Sequence, residues 1–225
     1  MKKAVAFIPA RAGSKGIPGK NKKDFRGKPL VMWSIDQAKK SKLFSKIIVS
    51  SDDPDIIELA KSAKVDYDER AERLAQDDTS LDVVLTEYFQ NVKCDYVCLL
   101  QPTSPLRSVK DITESFKFIQ MKKYWCVVGV TWNPIMGWVE RPAKREGCWC
   151  LYQIEKRPNR QTRDDFFLEN GAVYWVKRVP LLQFGNRIAS PRNTKLYEMP
   201  LKRSLETDTP FDWYMAECAY DWGRK

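Results

Sequence analysis

The apolar positions of this chain follow two patterns in turn, short unbroken runs and stretches spaced three or four residues apart. Val5–Pro9 is a run of the first kind, and Leu30, Val31, Trp33, Ile35 and Ala38 follow it at the spacing of one helix face. Together they predict strand, loop and helix. The pattern repeats: Lys46–Ser50 reads as a strand, Asp53 as a helix cap with Pro54 in the first turn, and Ile56, Ile57, Leu59, Ala60 and Ala63 as the buried stripe. Thr79 through Asp82 has the form of a capping box opening a helix that runs to Phe89. Asp95–Leu100 reads as a buried strand, and Ser108 with Asp111 as a second box before a helix through Ile119. Strands alternating with helices predict an α/β fold, a mainly parallel sheet flanked by helices.

Beyond Tyr124 the texture changes. Trp125, Trp132, Trp138 and Trp149 crowd short β-like runs, Cys126–Trp132 and Cys148–Ile154, broken at Pro134 and Pro142. This predicts an inserted hairpin or platform whose aromatic residues pack in a core or a subunit interface. The chain then returns to a strand at Gly171–Val176, an extended run at Lys195–Met199 and a last helix from Thr209 to about Tyr220. The start of that helix carries three agreeing signals, a Thr cap, Pro210 first and Asp212 third.

A length of 225 residues suits one domain spanning 1–225. No apolar run approaches the roughly 20 residues needed to cross a bilayer, so no membrane association is expected. The chain has no histidine, which excludes Ser/His, Cys/His and His-metal chemistry and leaves proton transfer to carboxylate, Lys, Tyr, metal-activated water or the substrate. Six cysteines form no CxxC pair, and the N-terminus is charged too early for a signal peptide, so reduced thiols in a cytoplasm are expected. The net charge of +10 invites a nucleic-acid reading, but it is local. Residues 1–50 hold 13 Lys/Arg against 2 Asp/Glu, and residues 51–100 hold 5 against 13. A compact anion site near the N-terminus fits this distribution better than a surface that tracks a polyphosphate, and no nucleic-acid partner is expected.

Four segments can carry chemistry. Ile8–Asn21 places Gly13, Gly16 and Gly19 among Arg11, Lys15 and Lys20, with Lys22 and Lys23 beyond. Exposed backbone N–H groups and clustered cations directly after a strand are what a polyphosphate needs. The spacing matches neither the Walker loop nor GxGxxG, and a solvated basic loop would have the same composition. Glu206 and Asp208 point to one side of an extended segment and are suited to a hard divalent cation; equally, Asp208 and Asp212 can serve only the N-terminus of the last helix. Gln101–Arg107 holds two prolines that stiffen a loop after a strand, presenting Gln101 and Arg107 as fixed donors. Arg157, Arg160, Gln161 and Arg163 precede Glu169–Ala172, and an arginine there can pair with a carboxylate substrate or simply face solvent.

Taken in order, these segments resemble the acylneuraminate cytidylyltransferase family, the makers of CMP-sialic acid and related CMP-ulosonates. The matching motifs are IPARAGSKG and KN within Ile8–Asn21, SSDD at Ser50–Asp53, QPTSPLR at Gln101–Arg107, RQ at Arg160 and Gln161, and NGAVY at Asn170–Tyr174. The resemblance implies a Rossmann-like α/β domain, a small β-rich dimerisation element within about 133–154, and a homodimer whose partner helps to close the sugar site. It implies that Arg11 and Lys20 hold and polarise the phosphates of CTP. Gly13, Ser14, Lys15, Asn21 and Ser80 belong to the nucleotide site by the same likeness. Gln101, Arg160, Asn170 and Tyr174 correspond to sugar-pocket positions, and Asp208 to a catalytic carboxylate that binds Mg²⁺ or Mn²⁺. The family's Asp-x-Asp stands here as Glu206-Thr-Asp208, one methylene longer at the first position.

The activity so implied is transfer of CMP from CTP to the anomeric hydroxyl of a sialic-acid-type nonulosonic acid, with release of pyrophosphate. Legionaminate, pseudaminate or Kdo are the other acceptors within this class. A homologue that binds CTP without turning it over, and a nucleic-acid-binding module, are the readings from other classes.

Overall fold

The computed structural model describes residues 3–133, 138–140, 148–150 and 166–223. In chain order the elements begin with strand β1 (Ala4–Pro9), the two-residue strands β2 (Asp24–Phe25) and β3 (Lys28–Pro29), helix α1 (Leu30–Ser41), strand β4 (Lys46–Ser51) and helix α2 (Pro54–Ser62). Strand β5 (Asp66–Glu69), helix α3 (Leu81–Gln90), strand β6 (Tyr96–Leu99), helix α4 (Val109–Ile119) and strand β7 (Cys126–Trp132) follow. The described chain continues through β8 (Trp138–Glu140), β9 (Cys148–Cys150), β10 (Phe167–Lys177), α5 (Arg178–Phe184), β11 (Thr194–Glu198) and α6 (Pro210–Trp222).

Seven strands form one sheet in the order β11-β7-β10-β6-β1-β4-β5. β1 pairs in parallel with β4 and β6, β4 with β5, and β7 with β11, so the sheet is mainly parallel as the alternation predicts. β10 alone runs antiparallel to both of its neighbours. The period-two alternation of β1 divides the core. Ala4, Ala6 and Ile8 face a layer containing α1, α2 and α4, whereas Val5 and Phe7 face Leu85 and Phe89 of α3 and Leu181 of α5. A third cluster of Ile17, Phe25, Leu30, Trp213 and Ala216 packs the glycine loop and the β2–β3 hairpin against α6. The rings of Phe25 and Trp213 meet edge to face at 5.3 Å.

The helix starts follow their caps. Asp53 accepts from the Asp55 amide with Pro54 at the first position, and the Ser108/Asp111 and Thr209/Asp212 capping boxes are both closed. At α3 the cap falls one residue later than the Thr79 box predicts, on Ser80, whose hydroxyl accepts from the Asp82 amide. β8 and β9 pair antiparallel, apart from the main sheet.

Candidate functional site

The carboxyl ends of β1, β4, β5 and β6 open onto one edge of the sheet, and a cavity of about 490 Å³ lies there. β10, running the other way, carries an irregularity between Glu169 and Tyr174 that places Asn170–Ala172 beside the end of β6 at the same edge. The cavity wall contains Arg11, Ser14, Lys15, Gly16, Lys20 and Asn21 from the glycine loop. Arg70, Gln76, Asp77 and Thr79 line it from the segment after β5, Gln101 and Thr103 from the loop after β6, and Glu206 and Asp208 from the segment before α6.

The glycine loop is held from several sides. Ala12 donates its amide to Asp52 Oδ1 at 2.8 Å, and Asn21 Nδ2 donates to the Arg11 carbonyl at 2.9 Å. The SSDD motif therefore acts as a bracket: Ser51 donates to the Ala10 carbonyl at 2.6 Å, Asp52 holds Ala12, and Asp53 caps α2. Gly19 adopts φ +62°, a conformation that costs glycine little. At Gly16 a Cβ would collide with the carbonyl oxygen of Asp208, so glycine is what lets the loop close against the segment before α6.

Every cation of the loop that faces the cavity meets an acid. Arg11 Nη1 lies 2.7 Å from Asp77 Oδ1 and Lys15 Nζ 2.8 Å from Asp77 Oδ2, and these two partners hold the Asp77 carboxyl below its usual range. Lys20, buried along its stem, donates to Asp208 Oδ1 at 2.7 Å. Arg70 is buried and makes no ion pair among the described residues; its Nε and Nη2 donate to Ser50 Oγ and the Ser50 carbonyl. Burial lowers its pKa, opposed by Asp52 and Asp68. Burial, aided by neighbouring Asp208, pushes the Glu206 carboxyl up to about 7. Among the described residues no group of three or more His, Cys, Asp and Glu side chains is gathered for a metal. Glu206 and Asp208, which line the same cavity, would offer carboxylate oxygens to a hard divalent cation such as Mg²⁺.

The sequence-predicted residues divide. Arg11, Ser14, Lys15, Lys20, Asn21, Gln101, Glu206 and Asp208 converge on the cavity. Gly13, Ser80, Asn170 and Tyr174 stand outside its wall. Asn170 is buried, donating to Ser204 Oγ at 3.0 Å and accepting from the Ala172 amide at 3.1 Å, which shapes the bulge of β10. Tyr174 donates to Glu169 Oε2 at 2.9 Å under the guanidinium of Arg187. Arg160, with Arg157, Gln161 and Arg163, lies outside the described residues. Asp77, Gln76 and Arg70 were not legible as site residues, the acidic pair after Gln76 being the nearest signal; Thr103 lies within the QPTSPLR motif without having been singled out in it.

Residues 5–157 match the model of a family described as cytidylyltransferase. The chain is 32% identical to N-acylneuraminate cytidylyltransferase A of Danio rerio over 222 residues, covering 94% of this chain and 49% of the relative. It is 40% identical to the pseudaminic acid cytidylyltransferase of Campylobacter jejuni over 126 residues, 52% of this chain and 54% of the relative. The chain thus spans about half the length of the curated relatives it matches. Among solved structures, a CMP:2-keto-3-deoxy-manno-octonic acid synthetase complexed with CTP aligns with TM-score 0.71 at 19% identity, covering 98% of this chain and 99% of that one. The sheet, the cation-rich glycine loop and the matched residues meet in one conclusion: the chain belongs to the cytidylyltransferase family.

Proposed function

We propose that the protein transfers CMP from CTP to the anomeric hydroxyl of a sialic-acid-type nonulosonic acid and releases pyrophosphate. The observation that carries this reading is the cavity itself, in which Arg11, Lys15 and Lys20 of the glycine loop face Glu206 and Asp208 at the sheet edge. The anomeric oxygen forms a bond to the α-phosphorus as the bond from that phosphorus to the bridging oxygen breaks. Arg11, Lys15 and Lys20 neutralise charge gathering on the departing pyrophosphate, so catalysis is alignment and electrostatics without a covalent enzyme intermediate. The hydroxyl proton goes to a carboxylate; Glu206 and Asp208 are the two that the segment before α6 places on the wall, Asp77 being engaged by Arg11 and Lys15. A divalent ion held by Asp208 and Glu206, Mg²⁺ or Mn²⁺, supplies further positive charge to the phosphates when bound. The reading includes a cytoplasmic homodimer with a dimerisation element within about 133–154, most of which lies outside the described residues, and a partner that helps to close the sugar site. Among the described residues no helix is long and apolar enough to cross a membrane.

Pyrophosphate release with Mg²⁺ tests this, using CTP, UTP, ATP and GTP against N-acetylneuraminate, legionaminate, pseudaminate and Kdo. Release with CTP and a nine-carbon acid is expected. Arg11→Ala and Lys20→Ala should each lower kcat/KM by about two orders of magnitude or more while leaving the protein folded. Wild-type rates in either variant would overturn the assignment. CTP binding without release across the panel would favour the non-catalytic homologue.

A further inference from the structure

Arg107 ends the loop after β6 and lies outside the cavity wall, yet its surroundings are unusual for an arginine. The residue is 2% exposed, and its guanidinium makes no ion pair among the described residues. Nη1 donates to the carbonyls of Ala172 and Gln101, and Nη2 donates to Ser34 Oγ at 2.7 Å and Gln37 Oε1 at 2.9 Å. Nε is buried without a partner among the described residues. Asp111, an acid close enough to act on it electrostatically, is bound by Arg203 instead. Burial brings the guanidinium pKa down to about 10. An uncompensated buried cation is a poor way to stabilise a core that an apolar side chain of similar size would fill. What the guanidinium provides is hydrogen bonds that join its loop to Ser34 and Gln37 of α1 and to Ala172 of β10, with a longer one at 3.4 Å to Gln101 within the loop itself.

The same loop carries more of the site. Gln37 Nε2 donates to the Pro105 carbonyl at 2.8 Å, and Ser104 Oγ to the Asn170 carbonyl at 3.3 Å. The Thr103 carbonyl accepts from the Thr207 amide at 2.9 Å and from its hydroxyl at 3.2 Å, which fixes Glu206 and Asp208 on either side. A Cβ on Gly171 would collide with Glu206 Oε1 and stand 2.9 Å from Gln101 Oε1, so the bulge of β10, the glutamate and the glutamine are packed together. We infer that Arg107 is a positioning residue: by clamping the loop after β6 to α1 and β10 it sets Gln101, Glu206 and Asp208 against the glycine loop, and so aligns the acceptor with the nucleotide. The catalytic part of this rests on the proposed cytidylyl transfer.

Arg107→Gln and Arg107→Lys test it, the lysine keeping the charge while losing the fork that reaches several acceptors at once. In folded protein, kcat should fall by about 10²-fold in Arg107→Gln, with partial recovery in Arg107→Lys. CTP affinity, measured by calorimetry, should change by no more than a few-fold, because the glycine loop and Arg70 do not bond to Arg107. Activity that declines only in step with the folded fraction, or wild-type kcat and KM in both folded variants, would overturn the inference. Amide exchange gives a readout independent of turnover. The Ser104, Ala172 and Thr207 amides should lose protection while those of β1 and β4 keep theirs; unchanged protection at the first three would overturn the clamp. Should Arg107→Gln fail to fold, Arg107→Lys carries both measurements. If the wild type transfers CMP to no acid tested, that failure belongs to the functional reading, and the exchange data alone decide the clamp.

Discussion

Asp77 holds two of the cations on which the proposed phosphate recognition depends, bridging Arg11 and Lys15 with one oxygen each. A triphosphate entering the cavity must compete with that carboxylate. Asp77→Asn should therefore bind CTP and pyrophosphate a few-fold more tightly at low salt, with the advantage shrinking as salt rises because both pairs face solvent. Titration calorimetry at two ionic strengths checks this, and weaker binding in the variant would mean that Asp77 serves to orient Arg11. Such a partner is hard to see in a sequence, since it stands far along the chain from Arg11 on an irregular segment where no periodicity assigns it a direction. Arg11, Lys20 and Asp208 were legible because their motifs are contiguous and follow a strand or precede a capped helix.

At the scale of elements, what was legible follows burial. β1, β4, β6, α1 and α4 each bury an apolar face, and their periodicity shows it. β5 reads Asp-Tyr-Asp-Glu, an edge strand with one neighbour and little to bury, and α5 is seven residues long with Pro180 near its start; neither announces itself. α4 carries a second signal, its capping box, and the structure gives that box another task. Asp111 has a fully buried side chain; it accepts from the Ser108 amide at 2.8 Å and from Arg203 Nε and Nη2 at 2.9 Å each. Burial pushes its carboxyl up, but the bonds from Arg203 and Ser108 outweigh this and leave it below the ordinary value. The folded pKa is depressed, so the stabilisation is complete above the unfolded pKa of about 4 and disappears as pH falls through the folded value. Asp111→Asn should cost about 1–3 kcal/mol at neutral pH. In urea titrations from neutral to acid pH, the wild-type and variant curves should converge at the acid end; a constant gap would show that the ion pair is not the source.

For the whole molecule, strand direction and charge balance were the features a sequence carries least directly. β10 runs against its neighbours, and that choice depends on the path of the chain between β7 and β10 rather than on any property of the strand. Charge is similar: the basic excess of the first 50 residues is visible in composition, but its neutralisation is visible only in three dimensions. Arg11 and Lys15 meet Asp77, Lys20 meets Asp208, and Lys22 meets Asp53 and Asp55. Arg26 meets Asp221, and Lys28 meets Asp36. The acids come mostly from distant parts of the chain, and the cavity wall, with Arg11, Lys15, Lys20 and Arg70 against Asp77, Glu206 and Asp208, is weakly rather than strongly positive. A ligand gains there by replacing specific carboxylates with phosphate oxygens at fixed positions, which favours a compact triphosphate over a long strand that needs a continuous basic track. Binding of a labelled oligonucleotide should accordingly be weak at physiological salt, while CTP binding with Mg²⁺ persists. Nucleic-acid binding would instead show an affinity falling with log salt at a slope of about −0.9 for each duplex phosphate neutralised. A slope of several such contacts, at an affinity rivalling that for CTP, would move the basic loop from nucleotide recognition to nucleic-acid recognition.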